Sequence, residues 1–593
     1  MIALIVLLPL IIAAVAIALL RGQKAAKSKY LAIAASAVSL ALMLAVSQGQ
    51  WSATWFGTGN LEIGVSVSVT PLSYILLAVV LGIGLLVFVY SAAFMDRLSE
   101  QRRYYIEMLV FEASMAAFVV SGNFILMFIA WEMMSMTSYL LIGFWNAREP
   151  ANRAARKAIT IVLIGDVAFL AAIALLWSIF GTLQFSQIIP LLASVAGPRL
   201  YVATLLLLIA VFTKSAQFPF HEWLIGAMEG PTPVSAYLHS STMVKAGVLM
   251  VILLYPVFSA PSVSLIIMVF GVVTVVVASL AAAREMHVKK VIAYSTVQEL
   301  SLMLIAISAG AVVAGIYFFL IQSFYKALLF FISGVAMKSS DSEQLDKEAG
   351  MRTSRMAFVS ALFGALSLAG FIPFSGFFAN GAIMTSLSSN LVLYAVLSAV
   401  GLLTSFYIFR WLSYLSRSTK RKPLQAGYSS QPNSMLYPAA VLAIATIAAS
   451  ALFFYFPGIL GSSVQSGRYT LTIRTTDAAL LIALSAIGAI LAYAVYYKGL
   501  IGTKQHPAYN LARTGPAVNW LYEALASMLL GLAEGVAAFE AFVNSGFDRI
   551  GRLTVASGYA IRMATTGSIN AYILILLLGT AGVAVSFYYF VII

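Results

Sequence analysis

Apolar residues in this chain come in runs that fill every helical face, unlike the one-sided stripe of a soluble helix. Each run is near the ~20 residues that cross a bilayer. Read in order, the pattern predicts about sixteen spans, at 2–20, 30–48, 71–95, 106–121, 123–145, 158–181, 200–226, 233–256, 262–283, 289–309, 312–337, 356–387, 389–415, 436–457, 476–497 and 569–592. The predicted fold class is therefore all-α, a polytopic membrane protein. From about Gly515 to Ala564 the pattern changes to one apolar stripe, Trp520, Leu521, Leu525, Met528, Leu529 and Leu532, interleaved with Glu523, Glu534, Glu540, Asp548, Arg549 and Arg552. That stripe predicts an amphipathic helix lying along the membrane surface, with the last span as its anchor.

Two spans carry helix breakers. Pro219 and Pro231 interrupt the seventh, and AGFIPFSGFFAN at 369–380 interrupts the twelfth. Proline removes a backbone donor and clashes with the preceding turn, and the freed carbonyls are tolerated at membrane depth only against protein or a water-filled cavity. PFHEWLIGAM from Pro219 echoes PFSGFFANGAIM from Pro373. Five spans separate the two breaks, and an odd number inverts the second copy, so the pattern predicts inverted five-helix repeats made of spans 4–8 and 9–13. The predicted divisions are 1–105 for the first three helices, 106–256 and 257–415 for the two repeats, 416–500 for spans 14 and 15, 501–568 for the lateral helix and 569–593 for the anchor.

Composition agrees with the class and narrows the chemistry. The residues are 62% hydrophobic and 9% charged, with a mean hydropathy of +0.97, too little polarity to cover a water-facing surface. The first run is followed, not preceded, by Arg21, Lys24, Lys27 and Lys29, which predicts a retained helix instead of a cleaved signal. There are no cysteines, so disulfides, thiolate metal sites and cysteine-held iron–sulfur clusters are excluded and no cofactor is expected. The net charge of +14 belongs to the connections and implies no nucleic-acid partner. With the N-terminus outside, the side opposite the basic loops holds just Arg199, Arg468 and Arg474 of the 35 basic residues. Positive loops mark the cytoplasmic side, so a multi-pass protein of a prokaryotic cell membrane is expected.

Three basic residues then fall inside spans: Lys214, Lys245 and Lys326. A charge at the centre of a membrane helix costs roughly 2.5–3.5 kcal/mol on insertion scales and marks function by default. The acids placed in spans are Glu107, Glu112, Glu132, Asp166 and Glu299, and Glu132 has no other charge near it from Asn123 to Trp145. A Glu132–Lys214 pair is expected to act as a proton switch, since a carboxylate beside a desolvated lysine opposes its loss of charge. Glu107 and Glu112, near a charged loop, read at least as well as structural. His239 and Lys245, on one continuous eighth span, would lie about 9 Å apart along the axis and roughly 120° around it, serving successive steps. His239 has no second ligand at helical spacing, so no metal is expected there.

WEMMSMTSYLLIGFW, KSAQFPFHEW, AMEGPTPVSAYLHSSTMVKAG, VKKVIAYST and FYKALLF resemble, in order, the signatures of the antiporter-like subunits of respiratory complex I, the related membrane-bound hydrogenases and the multi-subunit cation/proton antiporters. The likeness runs over spans 3–13, and the lateral helix resembles subunit L of complex I. It implies that Glu132 is the span-5 glutamate, Lys214 the span-7 lysine, His239 and Lys245 alternative span-8 groups and Lys326 the span-11 lysine of a proton path driven by a distant redox reaction. Asn380 stands where the family usually has a span-12 lysine, Gln322 and Phe318 where it often has histidines, and Glu299 where it usually has glutamine. Glu299 is therefore expected either to supply the missing titratable site or to pair with Lys289 or Lys290 at the surface. The implied partners are other membrane-arm subunits, sister antiporter-like subunits among them, and the lipid bilayer, with protons or sodium as the transported ion. A sodium/proton antiporter of the multi-subunit kind is the alternative; a solute carrier fits less well, because the charges form a row and not one pocket.

Overall fold

A computed structural model describes the chain except residues 1–5, 21, 59–60, 96–97, 193–194, 196, 341, 346–353, 417–432, 461–470, 498–533, 536 and 558–593. Helices stand at the places of the first fifteen predicted spans. Among the described residues, ten helices are long and apolar enough to cross a membrane. The remaining spans miss that measure for separate reasons. Leu8–Leu19 and Ser28–Met43 are short, Leu98–Val119 opens on charged residues, and spans 7 and 12 are broken into pieces. The predicted anchor at 569–592 and residues 515–533, 536 and 558–564 of the predicted lateral helix lie outside the described residues.

One element went unread in the sequence. Gly49–Thr58 and Leu61–Val69 pair antiparallel as a hairpin between spans 2 and 3. The alternation of GVSVSV at 64–69 is a strand signal, overlooked beside the apolar runs around it. The hairpin joins the connections after spans 2, 4 and 6, through bridges Val67 to Ser121 and Asn123 to Gln184. Asn123 fixes this corner twice, donating to the Gly64 carbonyl at 2.7 Å and capping the next helix at the Leu126 amide, 2.9 Å away. At Gly122 a Cβ would meet the Ser66 hydroxyl at 2.6 Å, so the close approach requires glycine.

Connections after odd-numbered spans meet each other in the same way. His287 and Gln344 bridge the loops after spans 9 and 11, and Lys289 donates to the carbonyls of Met228 and Gly230 after span 7. Arg410 donates to the carbonyls of Ala282 and Glu285. The His287 imidazole, 3.2 Å from Glu343, holds that carboxyl down at about 2.

Three helices form the centre. From Val291 on, Val288–Ser308 is buried throughout, and Val312–Ser340 and Thr232–Leu253 are nearly so. These carry Lys245, Glu299 and Lys326. Span 8 is not continuous: Thr232–Ser240 stops and Met243–Leu253 begins anew, with Thr242 at φ −128° and ψ −112° between them. The expected spacing of His239 and Lys245 on one straight helix therefore does not hold. The cause is a run of hydroxyl side chains that compete for backbone partners, Ser240 bonding the Ala236 carbonyl and Thr242 the Tyr237 carbonyl.

Spans 7 and 12 break where predicted, Pro198–Lys214 before Glu222–Gly226, and Arg355–Ala369 before Ser375–Leu387. Side chains take up the polar backbone released at the first break. Trp223 donates to the Thr213 carbonyl at 2.8 Å, Gln217 to the Ser215 carbonyl at 2.8 Å, and the Phe218 amide to the Thr274 hydroxyl at 3.0 Å. At the second break Gly376 packs so closely on the Ser367 carbonyl that no Cβ fits.

Candidate functional site

Lys214 is the last residue of its helix and is fully buried. Its ammonium donates to the Ser135 hydroxyl at 2.5 Å and the Trp131 carbonyl at 3.1 Å, and lies 4.5 Å from the Trp131 ring centre. The carboxylate at ion-pair distance is Asp166, at 3.9 Å. Asp166 in turn accepts from Trp131 Nε1 at 2.6 Å and from Ser135 at 3.1 Å. The expected Glu132–Lys214 contact is thus taken by Asp166: Glu132 is half-buried, its Oε1 makes no hydrogen bond within the protein, and it acts on Lys214 through its charge from beyond ion-pair distance. Helical geometry explains the exchange. Trp131 and Ser135 are one turn apart and share the face turned to Lys214 and Asp166, and Glu132 is rotated off it by about 100°. Gly165 lets the two helices close here, since a Cβ would strike the Thr213 hydroxyl.

His239 and Lys245 are both fully buried. Lys245 donates to the Phe319 carbonyl and to the Ser323 hydroxyl at 2.5 Å, with the Phe319 ring centre 4.5 Å away. Neither ring nitrogen of His239 is hydrogen-bonded within the protein, and the ring sits between Trp223 and Phe330 at 6.4 and 6.0 Å.

Lys326 and Glu299 form the tightest pair, Nζ to Oε2 at 2.8 Å, with both side chains buried. The Lys326 ammonium also donates to Ser295 at 2.5 Å. Glu299 accepts from the Tyr325 hydroxyl at 2.7 Å and from Gln322 at 3.2 Å. Glu299 thus pairs neither with Lys289 nor with Lys290; Lys290 goes to Glu229 at 3.3 Å. A cavity of about 30 Å³ adjoins Glu299 and is lined also by Asn380, Gln298 and Thr404, room for one water. The residue in place of the family's span-12 lysine therefore faces the same small space as the unusual glutamate.

Glu112 belongs with these groups, although its nearness to a charged loop favoured a structural reading. It is fully buried, accepts from Ser36 at 2.9 Å, and its second oxygen has no hydrogen bond within the protein. Glu107 keeps to the loop end, paired with Arg103 at 2.7 Å.

The described part of the C-terminal amphipathic segment is a helix over 537–557. It docks on this chain's own broken seventh span. His221 Nε2 lies 2.8 Å from Glu540, which also accepts from Tyr294 at 3.0 Å; Asn544 donates to Glu222 at 2.6 Å. Rings of Phe218 and Phe539, and of Phe220 and Phe547, flank these contacts at 5.8 and 6.0 Å.

Buried lysines and carboxylates strung through apolar helices, beside three interrupted spans, define a membrane protein of ion-moving type. Residues 121–406 match the family described as NADH:quinone oxidoreductase/Mrp antiporter, TM, and residues 55–105 match the complex I chain 5 N-terminus. The F(420)H(2) dehydrogenase subunit L of Methanosarcina mazei is 30% identical over 93% of this chain and 92% of its own length. The organellar chromatophore NAD(P)H-quinone oxidoreductase subunit 5 of Paulinella chromatophora is 35% identical over 60% of this chain, an alignment spanning 56% of that protein. The archaeal membrane-bound sulfane sulfur reductase shares the fold, with a TM-score of 0.72 at 21% identity over 98% of this chain and 99% of its own. The chain belongs to the antiporter-like membrane-subunit family of complex I, among its subunit L members.

Proposed function

We propose that this chain is a proton-translocating subunit, of subunit L type, in the membrane arm of a quinone oxidoreductase. The observation that carries the reading is the series of buried ionisable groups: Asp166 and Lys214, then Lys245, then Lys326 and Glu299, with half-buried Glu132 and buried His239 alongside. Each lysine is held by hydroxyls and carbonyls that accept hydrogen bonds, so its proton can leave only toward a neighbouring acceptor. A carboxylate–lysine pair has two ways to hold its protons, and a change in the charge of the next group tips it. Moving each charge against 100 mV requires about 2.3 kcal/mol, which redox chemistry on partner subunits supplies. The path crosses two inverted five-helix repeats, spans 4–8 and 9–13, in a chain with its N-terminus outside and its basic loops in the cytoplasm. Sister antiporter-like subunits and the bilayer are its partners.

The test is to purify the assembled complex in mild detergent, identify its co-purifying chains, and follow substrate-driven acidification in vesicles. Quinone-linked turnover with sodium-independent pumping supports the reading. Sodium-dependent pumping, or a complex with no redox partner, assigns the chain to the sodium/proton antiporters instead, the other class in the family's description.

A further inference from the structure

We propose that His221, Glu222 and Glu540 form a site for a divalent metal ion of the zinc class, joining the C-terminal helix to the break in the seventh span. Among the described residues these side chains are the one group of three able to hold a metal, their ligand atoms all within 4.8 Å of one another. Two ligands are adjacent on the broken span and the third comes from the far end of the chain, so the ion would close a joint that the backbone does not. His221 is buried, and the Glu540 and Glu222 side chains are 11% and 16% exposed. Two poorly solvated carboxylates this close repel each other, and the cation paired with them is Lys157, 3.5 Å from Glu222. A divalent ion offsets both charges.

The donor set selects among metals. One imidazole with two carboxylates favours zinc-like ions over magnesium or calcium, which prefer oxygen alone. Ligand atoms around a tetrahedral zinc, bound at ~2.0–2.1 Å, lie about 3.3 Å apart. His221 Nε2 and Glu540 Oε1, at 2.8 Å, would part by about half an ångström, and Glu222 would close in from a separation of up to 4.8 Å. Asn544 lies one turn beyond Glu540, and its Oδ1 makes no hydrogen bond within the protein. Its Nδ2 donates to Glu222 at 2.6 Å, an outer-shell bond that holds this carboxylate at the site. Tyr294, bonded to Glu540 at 3.0 Å, supplies the outer-shell hydrogen bond that orients a ligating carboxylate.

The experiment uses the whole complex, stripped with a chelator and titrated with zinc sulfate, against magnesium as control. Calorimetry on wild type should show a site that weakens by more than ~10-fold in His221→Ala and in Glu540→Gln. Glu534→Gln, an exposed position on the same segment, should leave it unchanged. Amide exchange over 537–557 reads docking separately: at zinc 100-fold above its dissociation constant, exchange through the undocked state should slow by about 100-fold in wild type. If a variant undocks of itself, its exchange is fast without metal and the wild-type zinc effect decides. A wild-type helix whose exchange ignores zinc, or a zinc site that survives both variants, overturns the proposal.

Discussion

Replacing Glu299 by Gln removes the counter-charge of a fully buried lysine. At 2.8 Å and an effective dielectric of ~20, the Coulomb attraction lost is roughly 6 kcal/mol. Desolvation in the intact pair offsets part of that, and breaking one side of a buried pair costs about 3–5 kcal/mol. The amide also supplies one acceptor where the carboxylate accepts from both Tyr325 and Gln322. Glu299→Gln, despite restoring the family's usual residue, is therefore expected to assemble less stably than wild type, and Lys326→Met likewise. The double variant removes both charges of this pair, and so avoids the unpaired buried charge that each single variant leaves. Its loss of stability should be smaller than the sum of the single losses by at least ~2 kcal/mol, the upper part of the range for interacting neighbours. Thermal unfolding midpoints of the purified complexes measure this cycle, and vesicle acidification measures pumping, which should be lost in all three. Additive single effects, or wild-type pumping in Glu299→Gln, would refute the pairing as the relay.

Three further outcomes follow from the geometry. Asp166→Asn should destabilise the chain by about 3–5 kcal/mol by stripping Lys214 of its ion-pair partner, whereas Glu132→Gln, which breaks no hydrogen bond at Oε1, should spare stability and reduce pumping; equal thermal midpoints for the two would refute the assignment. Gly376→Ala forces a methyl into the Ser367 carbonyl and should cost at least ~1–3 kcal/mol, read as loss of the chain from membranes; normal abundance would show that the second break can shift. Glu343, held at about 2 by His287, contributes stability present above its ordinary 4.5 and lost as pH falls toward 2. That contribution is reduced by solvent at a side chain 46% exposed. Heat-inactivation midpoints of wild type and Glu343→Gln should differ at pH 6 and converge at acid pH; a constant difference would disprove the linkage.

Much of this was legible in the sequence, because membrane solvation makes single residues loud. Lys214, Lys245 and Lys326 stood out by their cost in an apolar run, and Pro219 and Pro373 located the two breaks. What escaped depends on contacts between helices. Whether Asp166 or Glu132 meets Lys214 is decided by the rotation of two helices about their axes, which hydropathy does not report. The same holds for Glu299, whose partner Lys326 lies on the next helix instead of among the lysines at the start of its own. The interruption at Thr242 carries neither proline nor glycine, only hydroxyls. His221 and Glu540 come together across 319 residues, beyond the reach of any local pattern.

The interruptions also change the protein as an electrical medium. Lys214 ends its helix, Lys245 stands in the first turn after the Thr242 elbow, and Asn380 lies within two turns of the second break. Peptide groups inside a helix are bonded to one another, while those at an interruption are bonded to side chains such as Trp223, Gln217 and Thr242. A side-chain partner can change rotamer where a helical partner cannot, so these groups can answer a nearby change of charge more readily than those of an intact span. The molecule can remain an insulator across most of its section and still let a proton advance, because the reorganisation each step needs is confined to a few peptide groups beside the lysine that changes charge.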